Sequence, residues 1–215
     1  MFASMRRYRL ESGSMAELAR RIDEDFAEKL SDQPGFVSYE LIDCGLGEFL
    51  TMSVFLTLEQ AEASRELARR WAEQNDDLSF PRLEAAHGEI HVGRVSEGML
   101  EETHVGDAHK PVAVRRFRVG SGSVADLMRR VDQVFADRFQ AMDGFAAWHV
   151  FDCGGDEILW ISFVRDLDAA EESDDRAFRF VSEELRDLAL ERKLALRGEL
   201  LVSRARTELL EPAHA

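Results

Sequence analysis

Apolar and polar residues alternate from Arg6 to Leu10, the period of a short strand. Ser14 then stands three residues before Glu17, the spacing of a helix-capping box. Leu18, Ile22 and Phe26 follow as an apolar stripe at helical spacing. Pro34-Gly35 closes that segment, and Phe36–Asp43 is rich in β-forming residues. Gly45 to Gly47 reads as a hairpin turn into a strand over Glu48–Leu56. A second helix is predicted from Leu58 to about Asn75, with Leu58, Ala61, Ala68 and Trp71 near one face. A last strand is expected over Glu89–Val95.

The same order then recurs. Arg6-Arg7-Tyr8-Arg9-Leu10 returns as Arg115-Arg116-Phe117-Arg118-Val119, Gly35-Phe36 as Gly144-Phe145, and Asp43-Cys44-Gly45 as Asp152-Cys153-Gly154, all offset by 109 residues. The offset becomes 110 at Gly88-Glu89 and Gly198-Glu199. A match this long without gaps implies an internal duplication. Two units are expected, 1–95 and 113–206, with a polar linker over 96–112 and a tail over 207–215. In the second unit a longer helical stretch is predicted from Asp168 to about Lys193.

Each unit reads β-α-β-β-α-β, the ferredoxin-like split βαβ order. That order leaves one sheet face without helices, and an apolar face of that size needs a cover. The expected fold class is α+β: two fused ferredoxin-like units whose open faces form an intramolecular pseudo-dimeric α+β barrel.

Composition narrows the function classes. The 215 residues carry 27 basic and 42 acidic side chains, a net charge of −15. That balance disfavours nucleic-acid binding, which needs a basic surface. No run reaches the ~20 apolar residues of a membrane span, and no signal-peptide pattern opens the chain. With Cys44 and Cys153 the only cysteines, a reducing, cytoplasmic setting is the expectation.

Strand parity nominates candidate site residues, since alternate side chains share a face. The apolar face of each first strand (Tyr8 and Leu10, Phe117 and Val119) is assigned to the helices. Arg7, Arg9, Arg116 and Arg118 then point toward an inter-unit cavity. Glu40 and His149, Thr51 and Ser53, Trp160, and Glu89 and His91 are assigned to the same side by alternation. Such charges need partners or water, and they serve equally as an Arg–Glu network or as a pocket for an anionic or phenolic ligand. In the second case Arg7 and Arg9 are the charge partners and His91 the acid/base, its neutral-range pKa suiting proton transfer. His91 is favoured because its repeat partner is Leu201, so the halves have diverged there. Glu40, Thr51, Ser53, Glu89, Arg116, Arg118, His149 and Trp160 are the expected ligand-binding residues. No metal site is expected: His104, Asp107 and His109 could chelate, but they lie in the linker and lack a fourth ligand. Cys44 and Cys153 have no local base or cation to activate a thiolate, and Gly120-Ser121-Gly122-Ser123 reads as a strand-to-helix turn.

The run PGFVSYELIDCG, then VFLTLEQAEAS and Trp71, resembles the antibiotic biosynthesis monooxygenase-like (ABM) branch of the dimeric α+β barrel superfamily. The resemblance spans both units. It implies a barrel of two sheets, here as a fused dimer, and a cofactor-independent monooxygenase acting on an aromatic or quinone-like small molecule. Some relatives degrade haem with an asparagine on the first strand and tryptophan and histidine on the second helix. Here Trp71 fits the tryptophan position, but the only asparagine is Asn75 and no histidine follows Trp71 in its helix. The alternatives are a non-catalytic small-molecule binding protein and a structural or interaction module. The expected partner is a small organic molecule without a cofactor, and further homo-dimerisation is open.

Overall fold

The computed structural model describes residues 1–96, 109–206 and 209. Most of the expected linker and tail, with His104 and Asp107, lie outside the described residues. The first half runs β1 (Phe2–Arg9), helix α1, β2 (Phe36–Gly45), β3 (Glu48–Phe55), α2 (Leu58–Gln74) and β4 (Arg82–Val95). Helix α1 has three segments, Met15–Arg21, a π-turn at Ile22–Phe26, and Ala27–Ser31. The second half repeats the order: β5 (Pro111–Arg118), α3 (Val124–Arg130, a π-turn at Val131–Phe135, Ala136–Gln140), β6 (Phe145–Gly154), β7 (Glu157–Val164), α4 (Leu167–Glu183) and β8 (Glu191–Ala205). The strands hydrogen-bond in the order β1-β3-β2-β8-β5-β7-β6-β4 as a closed barrel. The fold class is α+β, two fused ferredoxin-like halves in one pseudo-dimeric α+β barrel. Among the described residues no helix is long and apolar enough to cross a membrane.

The expected caps form. Ser14 accepts from the Glu17 amide at 3.2 Å and Ser123 from the Asp126 amide at 3.1 Å, satisfying helix-end donors. Thr57 and Gln60 complete a reciprocal capping box on α2.

Two boundaries differ from the sequence pattern. Helix α4 stops at Glu183, and a 3-10 turn at Arg186–Leu188 is followed by Ala189 with left-handed backbone at φ 47°. Glu191-Arg192-Lys193 has helical propensity, yet it opens β8, because cross-strand pairing overrides a weak local preference. Strand β4 likewise begins at Arg82, ahead of Glu89.

The compact units cut across the two halves. Unit 1 holds residues 1–87 with the described part of 198–211, and unit 2 holds 88–96 with 110–197. The last part of β8 thus pairs with β2, as in Leu41↔Val202, and the last part of β4 with β6, as in Val92↔Val150. Gly88 and Gly198 stand at these crossings. A side chain on Gly88 would collide with the Asp152 carbonyl, and a Cβ on Gly198 would lie 2.5 Å from that of Asp43. Only glycine permits so close a backbone approach.

Each unit has its own core between sheet and helices. In unit 1, Leu18, Ile22 and Phe26 of α1 and Trp71 of α2 pack on Tyr39, Leu41, Phe49 and Phe55. In unit 2, Leu127, Val131 and Phe135 of α3 and Phe180 of α4 pack on Trp148, Val150, Ile158 and Trp160.

Candidate functional site

The nominated residues are dispersed. Arg7 donates to Glu48 at 2.9 and 2.5 Å, and Arg9 donates to the other oxygen of that carboxylate at 2.6 Å. Arg9 lies directly across the β1–β3 ladder from Glu48, so these arginines are neutralised beside a hairpin. Arg116 pairs with Glu157 in the same way at 2.5 Å. Arg118, Glu89 and His91 are exposed. His109 contacts Glu199 at 2.6 Å.

Glu40 and His149 are buried. Burial pushes the Glu40 carboxyl up to about 8 and the His149 imidazole down to about 4. Glu40 Oε2 and His149 Nδ1 have no hydrogen-bond partner. Both groups are therefore neutral near pH 7, the form burial favours.

Strands β3 and β7 reverse the expected faces. Phe49, Thr51 and Ser53 look toward the helices of unit 1, as Trp160 does in unit 2; the expectation placed Thr51, Ser53 and Trp160 on the opposite side. The register fixes this, since Thr51 pairs with Arg6 and Phe49 with Tyr8, while Trp160 pairs with Arg115. Barrel strands are buried on both faces, so the apolar Leu50, Met52 and Val54 are no guide to the helix side.

That reversal builds a pocket in unit 1. A chamber between the sheet and the helices is lined by Arg6, Tyr8, Tyr39, Thr51, Trp71 and Phe80, with Phe26, Phe49, Ser53 and Ser64 behind them. Its cavity volume is about 50 Å³. It is narrow, and aromatic rings form most of its walls. Arg6, Tyr8, Ala68 and Phe80 also line a wider cleft of about 620 Å³, open to solvent. Arg65, Arg69, Arg82 and His87 stand around that cleft.

Aromatic packing holds the chamber walls. Tyr8 stacks on Phe49 with centroids 5.1 Å apart and meets Phe80 edge-on at 5.8 Å. Phe26 lies 5.4 Å from both Tyr39 and Trp71. The Trp71 indole donates to Asp25 at 2.9 Å. Asp25 sits in the π-turn of α1, where Ala27 bonds the Ile22 carbonyl five residues back; such turns recur at functional sites.

Arg6 gives the chamber its charge. Among the described residues no carboxylate pairs with it. Burial draws its pKa down, Arg65 and Arg82 add to that, and Tyr8 and Tyr39 oppose it; the guanidinium stays cationic. Burial raises the pKa of both phenols, with Arg6 opposing. Tyr8 and Tyr39 are thus protonated hydroxyls beside an unpaired cation. Such an arrangement can take a planar molecule on its aromatic walls and that molecule's negative oxygen on Arg6.

Unit 2 carries the same frame with different contents. At the matching positions Tyr8 becomes Phe117, Tyr39 becomes Trp148, Thr51 becomes Trp160 and Trp71 becomes Phe180. Trp148 and Trp160 lie 4.9 Å apart and Trp160 is 5.1 Å from Phe135, so indole fills the chamber. Arg115, the equivalent of Arg6, forms an ion pair with Asp174, the equivalent of Arg65.

Sequence reasoning missed Arg6, Tyr8, Tyr39, Arg65, Phe80 and Arg82 as site residues. The signal available was the difference between repeats at 51/160 and 65/174, the comparison that had singled out His91.

Other chemistry is sparse. Among the described residues no three His, Cys, Asp or Glu side chains gather as a metal site. Burial, with nearby Asp43, pushes the Cys44 thiol up to about 12, leaving it protonated and weakly nucleophilic.

No protein-family model and no curated protein matches this chain. Solved structures do. A provisionally named monooxygenase from Fusobacterium nucleatum superposes with a TM-score of 0.72, covering 95% of this chain and 94% of its own, at 7% identity. A second provisionally named monooxygenase, from Lactobacillus acidophilus, gives 0.68 with 95% of each chain covered, at 10% identity. An anthrone oxidase-like protein gives 0.58 over 99% of this chain and 96% of its own, at 13% identity. At such identities the likeness speaks for fold alone. On that ground the chain shares the α+β fold of these proteins over nearly its whole length.

Proposed function

We propose that unit 1 binds a planar aromatic small molecule of phenol, quinol or anthrone type as its anion, and that the bound anion is oxidised by dioxygen without a cofactor. The observation that carries this is Arg6: an unpaired guanidinium at an aromatic chamber, in a fold half whose sister copy has that chamber filled and that arginine paired. A desolvated cation lowers the pKa of an acidic hydroxyl or methylene placed against it. The resulting electron-rich anion is the species that can pass electrons to dioxygen. For a diaryl methylene the reaction balances as one methylene and one dioxygen giving one ketone and one water. Both methylene C–H bonds break in this four-electron oxidation, with one oxygen atom entering the new carbonyl and the other leaving as water. In this chain Arg6 would hold the anion, Tyr8 and Tyr39 would hydrogen-bond its oxygen, and Phe49, Trp71 and Phe80 would set the plane of the ring. The names of the fold neighbours, monooxygenase and anthrone oxidase-like, fit this chemistry.

A second reading is binding without turnover. Among the described residues the chamber lining has no histidine and no carboxylate, and these lining residues include no ordinary general base. Two measurements separate these readings. Titration calorimetry with 2-naphthoate on wild type and Arg6→Met is expected to give at least a tenfold loss in the variant, in line with about 1.5–3 kcal/mol for a hydrogen bond to a charged group. Equal affinities would overturn the site. Oxygen uptake with anthrone and 1,4-naphthoquinol is expected to exceed the buffer rate in wild type and to return to it in Arg6→Met. Binding with no uptake from either compound leaves the binding protein.

A further inference from the structure

Resting on the assignment of the unit 1 chamber as a ligand site, we infer that its ligand carries a second acidic group, which Arg65 and Arg82 hold in the outer cleft. The charges around that cleft are the first reason. Arg6, Arg65, Arg69, Arg82 and His87 line it, with no aspartate or glutamate among the lining residues, in a chain of net charge −15. Arg69 is held by Glu66 and Glu73 along its own helix. Arg65 has only a loose, exposed contact to Glu62 at 3.8 Å. Among the described residues neither Arg6 nor Arg82 pairs with a carboxylate. Three guanidiniums thus face one space with little to offset their mutual repulsion. A ligand with one acid answers Arg6 and leaves Arg65 and Arg82 without a counter-charge.

Unit 2 shows how the same cleft looks when answered internally. Its cleft is lined by Arg115, Asp174, Asp175, Arg192 and Arg197. Asp174 occupies the position of Arg65 and pairs with both Arg115 and Arg197. A single substitution at that position turns a closed charge cluster into an open one. In unit 1 no such internal aspartate stands at that position, which leaves the cleft open to an anion brought by the ligand. The layout agrees: Arg6 borders both the narrow chamber and the wider cleft, and the cleft has room for a group projecting past Arg6. The ligand class is an aromatic bearing two neighbouring anionic groups at one end, such as a vicinal dicarboxylate or an aryl phosphate.

The test compares 2-naphthoate with naphthalene-2,3-dicarboxylate by titration calorimetry at low salt. The diacid is expected to bind about tenfold more tightly, and that advantage to shrink as salt screens the exposed arginines. Arg65→Met/Arg82→Met should abolish the diacid's advantage, weakening the diacid by at least tenfold more than it weakens 2-naphthoate. Arg65→Asp, which installs the unit 2 residue, should weaken both ligands by supplying Arg6 with an internal partner. A diacid that binds no better than the monoacid, or an advantage that survives the double substitution, overturns the inference while leaving the Arg6 site standing. Failure of both compounds to bind wild type overturns the site and the inference together.

Discussion

Threonine at position 160 would give unit 2 the residue that unit 1 has at position 51. Trp160 is 1% exposed, and its ring lies 4.9, 5.1 and 6.3 Å from those of Trp148, Phe135 and Phe139. Truncating a large aromatic in a closed core costs about 3–5 kcal/mol through lost transfer energy and the cavity left behind. One term works the other way. The Trp160 indole nitrogen has no hydrogen-bond partner, so removing it relieves part of a desolvation cost of about 1–3 kcal/mol. The expected net destabilisation of Trp160→Thr is therefore about 3 kcal/mol. Urea unfolding followed by circular dichroism measures it: the midpoint should fall while the slope stays constant. A loss below about 1 kcal/mol would refute the reasoning, since it would mean that Trp160 does not plug a packed chamber. Calorimetric stoichiometry is the companion measurement. Trp160→Thr alone should still bind one 2-naphthoate per chain, because Asp174 continues to occupy Arg115. Trp160→Thr/Asp174→Arg should approach two.

The reciprocal change, Thr51→Trp, should fill the unit 1 chamber, reduce 2-naphthoate affinity more than tenfold and cost about 1–3 kcal/mol of stability through overpacking. Burial raises the Glu40 carboxyl from 4.5 to about 8 in the folded chain. Between those values the folded state holds a proton that the unfolded state has lost, so this contribution falls as pH rises and its full cost, several kcal/mol, is reached above pH 8. Glu40→Gln should therefore be more stable than wild type at pH 9 by urea unfolding and nearly equal to it at pH 5. His149 has the opposite sign: its folded value near 4 lies below the ordinary 6.5, so the unfolded state takes up the proton first as pH falls through 6.5. His149→Gln should remove a loss of stability that wild type shows between pH 6.5 and 4; equal slopes in variant and wild type would count against a buried neutral imidazole.

The fold was legible because it was written twice. A strand such as Arg6–Leu10 is a weak signal alone, but its return at Arg115–Val119 with the same turn and capping serine after it fixes the element order. The site was harder to read for two reasons. Parity separates the two faces of a strand without saying which face meets the helices; at Thr51, Ser53 and Trp160 the apolar neighbours gave the wrong answer because both faces are buried. Polarity also misdirected attention to Arg7, Arg9 and Arg116, whose charges are answered by Glu48 and Glu157 beside their hairpins. Arg6 has the same side chain and a different chemistry, because its neighbours are two tyrosines and two further arginines.

The informative comparison is between the halves, position by position. Positions that only carry the fold keep their character at both sites: Phe26 and Phe135, Leu18 and Leu127, Ser14 and Ser123. Positions around the unit 1 chamber do not. Threonine faces tryptophan in the alignment of repeats at 51 and 160, and arginine faces aspartate at 65 and 174. Packing alone does not explain the second exchange. Arg65 and Asp174 sit midway along equivalent helices, where either residue is compatible with a solvated helix face. What differs is the arginine each one faces. Asp174 forms an ion pair with Arg115, while Arg65 offers Arg6 no anion, and none pairs with it among the described residues. A fold that needed only stability would have favoured the neutralised arrangement in both copies, because a half-buried cation without a partner carries a desolvation cost. Unit 1 bears that cost at Arg6, beside an aromatic chamber and under two further arginines, which is the arrangement a site takes when its counter-charge is supplied by what it binds.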